Sequence, residues 1–195
     1  MIEAQARFLP DAGLAPAGRL QIEQELDRAR AFAASGGDAD IPVTLVGTDT
    51  HPGNFMMRPD GVAVFVDLEK MVYGAPAIDL AHATVYTSTM WDADVATALT
   101  AAETGAFYRA YFDALPQDLA DRIRPCCAPL RRFTWLRTTT WCAKWRVQSR
   151  DGAAWSAAQH DPAYIESVRA RVADYFDPAT IESIRAGFDN ADVDL

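Results

Sequence analysis

The alternation of apolar and polar positions divides the chain into a helical flank, a short strand-rich middle and a long helical remainder. From Arg19 to Ala34 the apolar residues Ile22, Leu26, Ala29 and Ala33 recur at helical spacing, with charged residues between them. Gly36 and Gly37 follow, the usual C-terminal stop, so a helix is expected over 18–35. Residues 1–17 hold Pro10, Gly13 and Pro16 and are expected to be irregular apart from one short helical turn. The apolar run 43–46 has the length and composition of a buried strand. Two further apolar segments, 55–57 and 62–66, flank Arg58-Pro59-Asp60-Gly61. Proline suits the second position of a tight turn and glycine the last, so these segments read as a β-hairpin.

Beyond the hairpin the pattern is helical. Pro76 is placed to open a helix through Ile78, Leu80 and Val85 toward Thr89, with Asp79 in its first turn where a carboxylate favours the positive end. Asp92 or Asp94 is expected to cap a long helix through Leu99 and Tyr111, ended by Pro116. A short helix over 118–123 should stop before Pro125, and a long one should run over 130–150 with Phe133, Leu136, Trp141 and Trp145 inward. Asp161-Pro162 and Asp177-Pro178 each read as a cap and first residue of a further helix, and the acidic tail 189–195 as frayed. The fold class expected is α+β, mostly helical, in one domain over 1–195.

The hairpin has a chemical consequence. It returns the chain so that Asn54, at its start, lies near Asp67, at its end, with Asp49 close by in the preceding loop. Phosphoryl transfer needs a carboxylate to accept the proton of the attacking hydroxyl, and hard oxygen ligands for magnesium. An Asp and an Asn five residues apart, with a second Asp beyond a hairpin, is the spacing used in protein kinases. Turn formation alone would explain Asp, Asn and Gly in one loop, but not the three ordered blocks found here. Leu45-Val46-Gly47-Thr48-Asp49-Thr50-His51-Pro52-Gly53-Asn54 is followed by Val66-Asp67-Leu68-Glu69 and then by Gly74-Ala75-Pro76-Ala77-Ile78-Asp79-Leu80-Ala81.

These blocks resemble the catalytic core of the aminoglycoside phosphotransferase and choline kinase group, relatives of the protein kinases. The resemblance implies that Asp49 is the catalytic base, that Asn54 and Asp67 hold Mg2+, and that ATP is the phosphoryl donor. His51 and Asp79 would support the catalytic loop, and Glu69 would contact a second cation, the substrate or a nearby loop backbone. Acceptor recognition would lie in the helices after the core, with Trp91, Asp92, Trp135 and Trp141 as candidates to line the pocket. Gly47-Thr48 departs from the family's usual His-Gly, which predicts a looser hold on Asp49.

The resemblance also implies a two-lobed enzyme whose N-terminal lobe supplies a phosphate-covering loop and a lysine. The 42 residues before Val43 contain no lysine and no glycine-rich strand–loop–strand pattern. The chain is therefore expected to represent the kinase-like C-terminal lobe alone: a helix over 18–35, the catalytic strand, loop and hairpin over 43–69, and a helical substrate-binding part over 76–188. A non-catalytic, kinase-derived binding module is the alternative, and a metal-dependent hydrolase using Asp49, His51 and Asp67 a weaker one. An isolated lobe would expose apolar surface, so a homodimer or a partner lobe is expected to cover it.

Composition sets the remaining limits. The chain of 195 residues is 50% hydrophobic and 23% charged, an ordinary globular make-up. A formal charge of -9 disfavours nucleic acid as a partner and suits a cationic small-molecule hydroxyl acceptor. The arginine- and tryptophan-rich run 131–146 is explained by helical spacing, tryptophans inward and arginines outward or paired with acids. No apolar run approaches a membrane span, and no partnership with a membrane is expected. Three cysteines without a paired spacing, Cys126, Cys127 and Cys142, fit a reducing cytoplasm. His82 and His160 lack ligating companions at useful spacing and read as packing and capping residues.

Overall fold

In the computed structural model, which describes residues 1–36, 40–150 and 161–189, eight helices and two small antiparallel sheets are arranged around one long helix. That helix, α6 (Gln117–Arg150), is about 50 Å long at 1.5 Å per residue. Its first half packs Ala120, Ile123, Cys126, Cys127 and Leu130 against α3 (Ala77–Thr84) and α5 (Ala101–Asp113). Its second half packs Trp135, Leu136, Cys142 and Trp145 against α2 (Pro16–Ala34), α7 (Pro162–Tyr175) and α8 (Pro178–Asp189). Short α1 (Ile2–Ala6) and a 3-10 turn (Leu9–Asp11) lie against the same helix, giving the N-terminal segment more regular structure than its Pro and Gly content suggests.

The continuity of α6 corrects the expectation of a break at Pro125. Pro125 and Pro129 both lie inside the helix. Each removes one backbone hydrogen bond and costs about 3 kcal/mol in an isolated helix. Burial of the apolar face from Ala120 to Leu130 on α3 and α5 offsets that local cost, so tertiary packing overrides the proline signal. The helix expected from Asp92 or Asp94 is also corrected. α5 begins only at Ala101, where Thr100 and Glu103 form a reciprocal capping box that the sequence also carries. The helix opened by Pro76 is interrupted: Val85 adopts an extended conformation and separates α3 from α4 (Tyr86–Thr89).

Strand β1 (Thr44–Val46) pairs with β4 (Val72–Gly74), and β2 (Phe55–Met57) pairs with β3 (Ala63–Phe65). The hairpin turn closes through the Gly61 N–H donating to the Arg58 carbonyl at 2.9 Å, with Gly61 at φ +83°. A left-handed residue here is what a type I turn followed by a bulge requires. Strand β1 is not the buried strand its apolar run suggests. Only Val46 is buried, while Val43 and Leu45 are exposed, because a two-stranded sheet has one face on the core and nothing on the other. Phe55, Met56, Met57, Val62, Val64, Leu68, Val72 and Tyr73 are exposed as well, so both sheets present apolar surface.

Glu25, fully buried on α2, ties three helices together. Its carboxylate accepts from Arg28 on its own helix, from Arg132 on α6 and from Arg185 on α8, at 2.8–2.9 Å. Asp161 and Asp177 cap α7 and α8, each accepting the backbone N–H two residues on, at 2.9 Å. All three cysteines are buried free thiols. No described helix is long and apolar enough to cross a membrane. The frayed tail expected beyond Asp189 and the role expected of His160 fall outside the described residues.

Candidate active site

The β1–α3 region builds a cleft of about 450 Å3, lined among others by Asp49, His51, Asp67, Lys70, His82 and Arg137. Its centre is the loop after β1, and the loop's backbone is held from three sides. The Asp79 carboxylate on α3 accepts the Gly47 and Thr48 N–H groups at 2.7 and 2.8 Å. Thr48 donates its hydroxyl to the Lys70 carbonyl, and Arg137 on α6 donates to the Thr48 carbonyl, both at 3.0 Å. Thr50 donates its hydroxyl to the Asp79 carbonyl at 2.8 Å. Thr48 sits at φ +59°, a conformation costly for a β-branched residue, and these bonds stabilise it there. The looser hold predicted from Gly47-Thr48 is thus absent. A Cβ on Gly47 would come within 2.6 Å of the Phe65 ring, so a side chain as large as histidine has no room.

Asp49 projects into the cleft, mostly shielded from solvent. Asn54 donates its side-chain N–H to the Asp49 carbonyl at 2.8 Å, linking the two ends of the five-residue spacing. This leaves the Asn54 Oδ1 as an acceptor with no protein donor among the described residues. The Val66 N–H donates to the Asn54 carbonyl at 2.9 Å, so the hairpin carries Asp67 back to the loop. Asp67 is exposed at φ +59°, and its carboxylate also accepts no hydrogen bond among the described residues. Two uncommitted oxygens, one on the cleft and one on the loop that borders it, are of the type that suits Mg2+, a hard cation that takes few protein ligands and fills its octahedron with phosphate and water. Among the described residues no group of three His, Cys, Asp or Glu could hold a metal. His51 uses its Nδ1 to accept the Gly53 N–H at 3.1 Å, which holds the loop. Both facts count against the metal-dependent hydrolase reading.

Two titratable groups face Asp49 that sequence reasoning did not assign to the site. Lys70 donates to Asp49 Oδ2 at 2.5 Å, and His82 Nε2 lies 3.8 Å from Oδ1. Burial pushes the Asp49 carboxyl up, but the Lys70 hydrogen bond and charge, backed by His82 and His51, outweigh it and leave it below the ordinary value. Lys70 is correspondingly raised by its bond to Asp49, against burial. Burial drives His82 down to about 4, with Asp49 opposing, and its Nδ1 is buried without a partner. His82 is therefore more than a packing residue, and one signal could have found it: it lies three positions after Asp79, on the same helix face.

His82 has a measurable consequence for stability. Its folded pKa is depressed, so between the ordinary 6.5 and about 4 the unfolded chain binds a proton that the native state refuses. Stability is full above that window and is lost as pH falls through it, by an amount on the order of 3 kcal/mol. Urea unfolding at pH 7 and pH 4.5 should show this loss in the wild type and much less of it in His82→Asn. Equal losses in both proteins would rule His82 out as its source.

The other candidate residues separate. Trp91 and Trp141 line the cleft, their rings edge-to-face at 5.6 Å. Asp92 instead lies against the catalytic loop, where a Cβ on Gly53 would collide with its carboxylate. Trp135 is no pocket residue: it is fully buried in the core, edge-on to Phe188. Helical spacing put it inward, and inward here means away from the cleft. Glu69 is exposed and does not line the cleft, acting on it only through its charge near Lys70.

Comparison with known proteins bears on the family and the fold. Residues 3–130 match the model of a phosphotransferase enzyme family. The fold is similar to that of a solved ethanolamine kinase from Plasmodium vivax, with a TM-score of 0.54 and 14% identity over 94% of this chain and 49% of that one. The chain thus spans about half the length of that kinase. No curated protein sequence matches.

Proposed function

The chain belongs to the phosphotransferase enzyme family, and we propose that it acts in transfer of the γ-phosphoryl group of ATP to a hydroxyl of a small molecule. The observation that supports this reading best is the meeting of Asp49 and Asp67 on one cleft, with Asn54 bonded to the Asp49 backbone beside it. Asp49 would orient the acceptor hydroxyl and take its proton. The Asn54 Oδ1 and the Asp67 carboxylate would hold Mg2+, which neutralises charge developing on the phosphates. Trp91 and Trp141 would form an aromatic wall suited to an ammonium group, so an amino alcohol is the acceptor class that fits, in keeping with the net negative charge. The reaction would take place in the cytoplasm.

The exposed apolar faces of the two sheets belong to the same reading. A nucleotide-binding lobe, or a second copy of the chain, would cover them, with this chain supplying the catalytic and acceptor side. One observation favours a second reading, a binding module without turnover: Lys70 occupies the Asp49 oxygen that the acceptor would need.

Calorimetric titration with ATP and Mg2+ tests both readings. The wild type should bind nucleotide only with magnesium present, and Asp67→Ala should lose that binding, because it removes one of two protein ligands. Binding that is unchanged in Asp67→Ala, or independent of magnesium, would overturn the assigned metal ligands. No binding at all would favour the module.

A further inference from the structure

A second cavity, of about 340 Å3, opens between α3, the start of α5, α6 and α8, and shares no lining residue with the catalytic cleft. Its charged group is Arg131, a residue only 8% exposed. Arg131 donates through Nη1 to the Thr84 hydroxyl and lies with its guanidinium carbon 5.7 Å from the centre of the Tyr108 ring. Neither partner is an anion. Burial raises the pKa of the Tyr108 hydroxyl and keeps it neutral, although Arg131 pulls the other way. Among the described residues the buried Arg131 Nε has no hydrogen-bond partner, and no Asp or Glu lines the cavity. The contrast with Arg185 is direct, since that guanidinium meets the Glu25 carboxylate.

A buried guanidinium without a counter-charge is costly. A guanidinium grips a carboxylate through charge-assisted hydrogen bonds, and with Nε enclosed and Nη1 bonded to Thr84 the Nη2 end of Arg131 is the part left for it. One guanidinium balances one negative charge, which favours a carboxylate over a phosphomonoester dianion. The remaining wall is largely apolar, with Leu99, Ile184 and Phe188 facing the hydroxyl-bearing Thr104. We propose that this cavity binds a small monocarboxylate with an apolar body, its carboxylate on Arg131 and its body against Leu99, Ile184 and Phe188. The site stands apart from the phosphotransferase reading, although α3 and α6, which form it, also carry Asp79 and Arg137, the residues that hold the catalytic loop.

Phenylacetate titrated into the full chain by calorimetry is a direct probe, with neutral phenylacetamide as its control. The wild type should bind phenylacetate saturably and phenylacetamide not at all. Arg131→Met, which keeps the stem and removes the guanidinium, should weaken binding by about tenfold or more. Ser183→Trp, at an exposed position of α8 on the cavity rim, should block binding with an unchanged melting temperature, and it carries the test if Arg131→Met fails to fold. Absence of saturable binding to the wild type, equal binding of the amide, or undiminished binding by a folded Arg131→Met or by Ser183→Trp would each overturn the proposal.

Discussion

Glu25→Ala is expected to lower the stability of the fold by about 3–5 kcal/mol, the cost of removing one member of a buried ion cluster. For a domain of this size that corresponds to a drop of roughly 6–20 °C in melting temperature. The contributions are unequal. Arg28 is half exposed, so water can solvate its guanidinium when the carboxylate is removed and it loses least. Arg132 and Arg185 are each only 17% exposed in their side chains and lose the carboxylate they share. The effect therefore comes chiefly from these two guanidiniums, which α6 and α8 bring to the one buried carboxylate. Replacing the whole cluster should restore much of the loss, because apolar residues of similar size need no counter-charge. Thermal melts of Glu25→Ala and of the triple substitution Glu25→Met, Arg132→Leu, Arg185→Leu would separate these effects. A single substitution costing under about 1 kcal/mol would show that the cluster is a bystander to the packing of α2, α6 and α8.

The features that could be read from the sequence are those fixed by local chemistry. The turn at Arg58–Gly61 needs only a proline at its second position and a glycine able to take a positive φ. The caps at Asp161 and Asp177 need only a side-chain oxygen two residues before a free N–H. The family was readable because its blocks place fixed residue types at fixed spacing, Asp49 to Asn54 and then Asp67 beyond the hairpin. What escaped depends on contacts distant in sequence. Pro125 and Pro129 look like helix breaks until the face from Ala120 to Leu130 is seen buried on two other helices. Lys70 lies 21 residues from Asp49, and only the pairing of β1 with β4 beside the hairpin brings it back. Glu25 reads as one more acid on an amphipathic helix, since its partners lie 107 and 160 residues away. Trp135 and Trp141 share one helix, and only the packing of α8 and of Trp91 decides which faces the core and which the cleft.

Asp49→Asn is expected to lower kcat for phosphoryl transfer to an amino alcohol by about 10²–10⁴-fold, the usual contribution of a positioned general base, with little change in nucleotide affinity. The pH profile adds a sharper expectation. Asp49 must be ionised to accept a proton, and its pKa is held below the ordinary value, so the acid limb of kcat/KM should lie below the usual carboxylate range. Lys70 is the main opposing influence to burial there, and its side chain is about half exposed. The Lys70 end of the pair is open to solvent, so the phosphates of a bound nucleotide can compete with Asp49 for it. In Lys70→Met the upward push of burial on Asp49 would meet only the weaker charges of His82 and His51. The acid limb should then move to higher pH, with activity lost earlier as pH falls. Rate profiles of the wild type, Lys70→Met and Asp49→Asn on one acceptor would check the three statements together. A limb near 6.5 that ignores Lys70→Met and survives in Asp49→Asn would move the base from Asp49 to a histidine, and the Lys70 pair would then be a surface contact without a part in the chemistry.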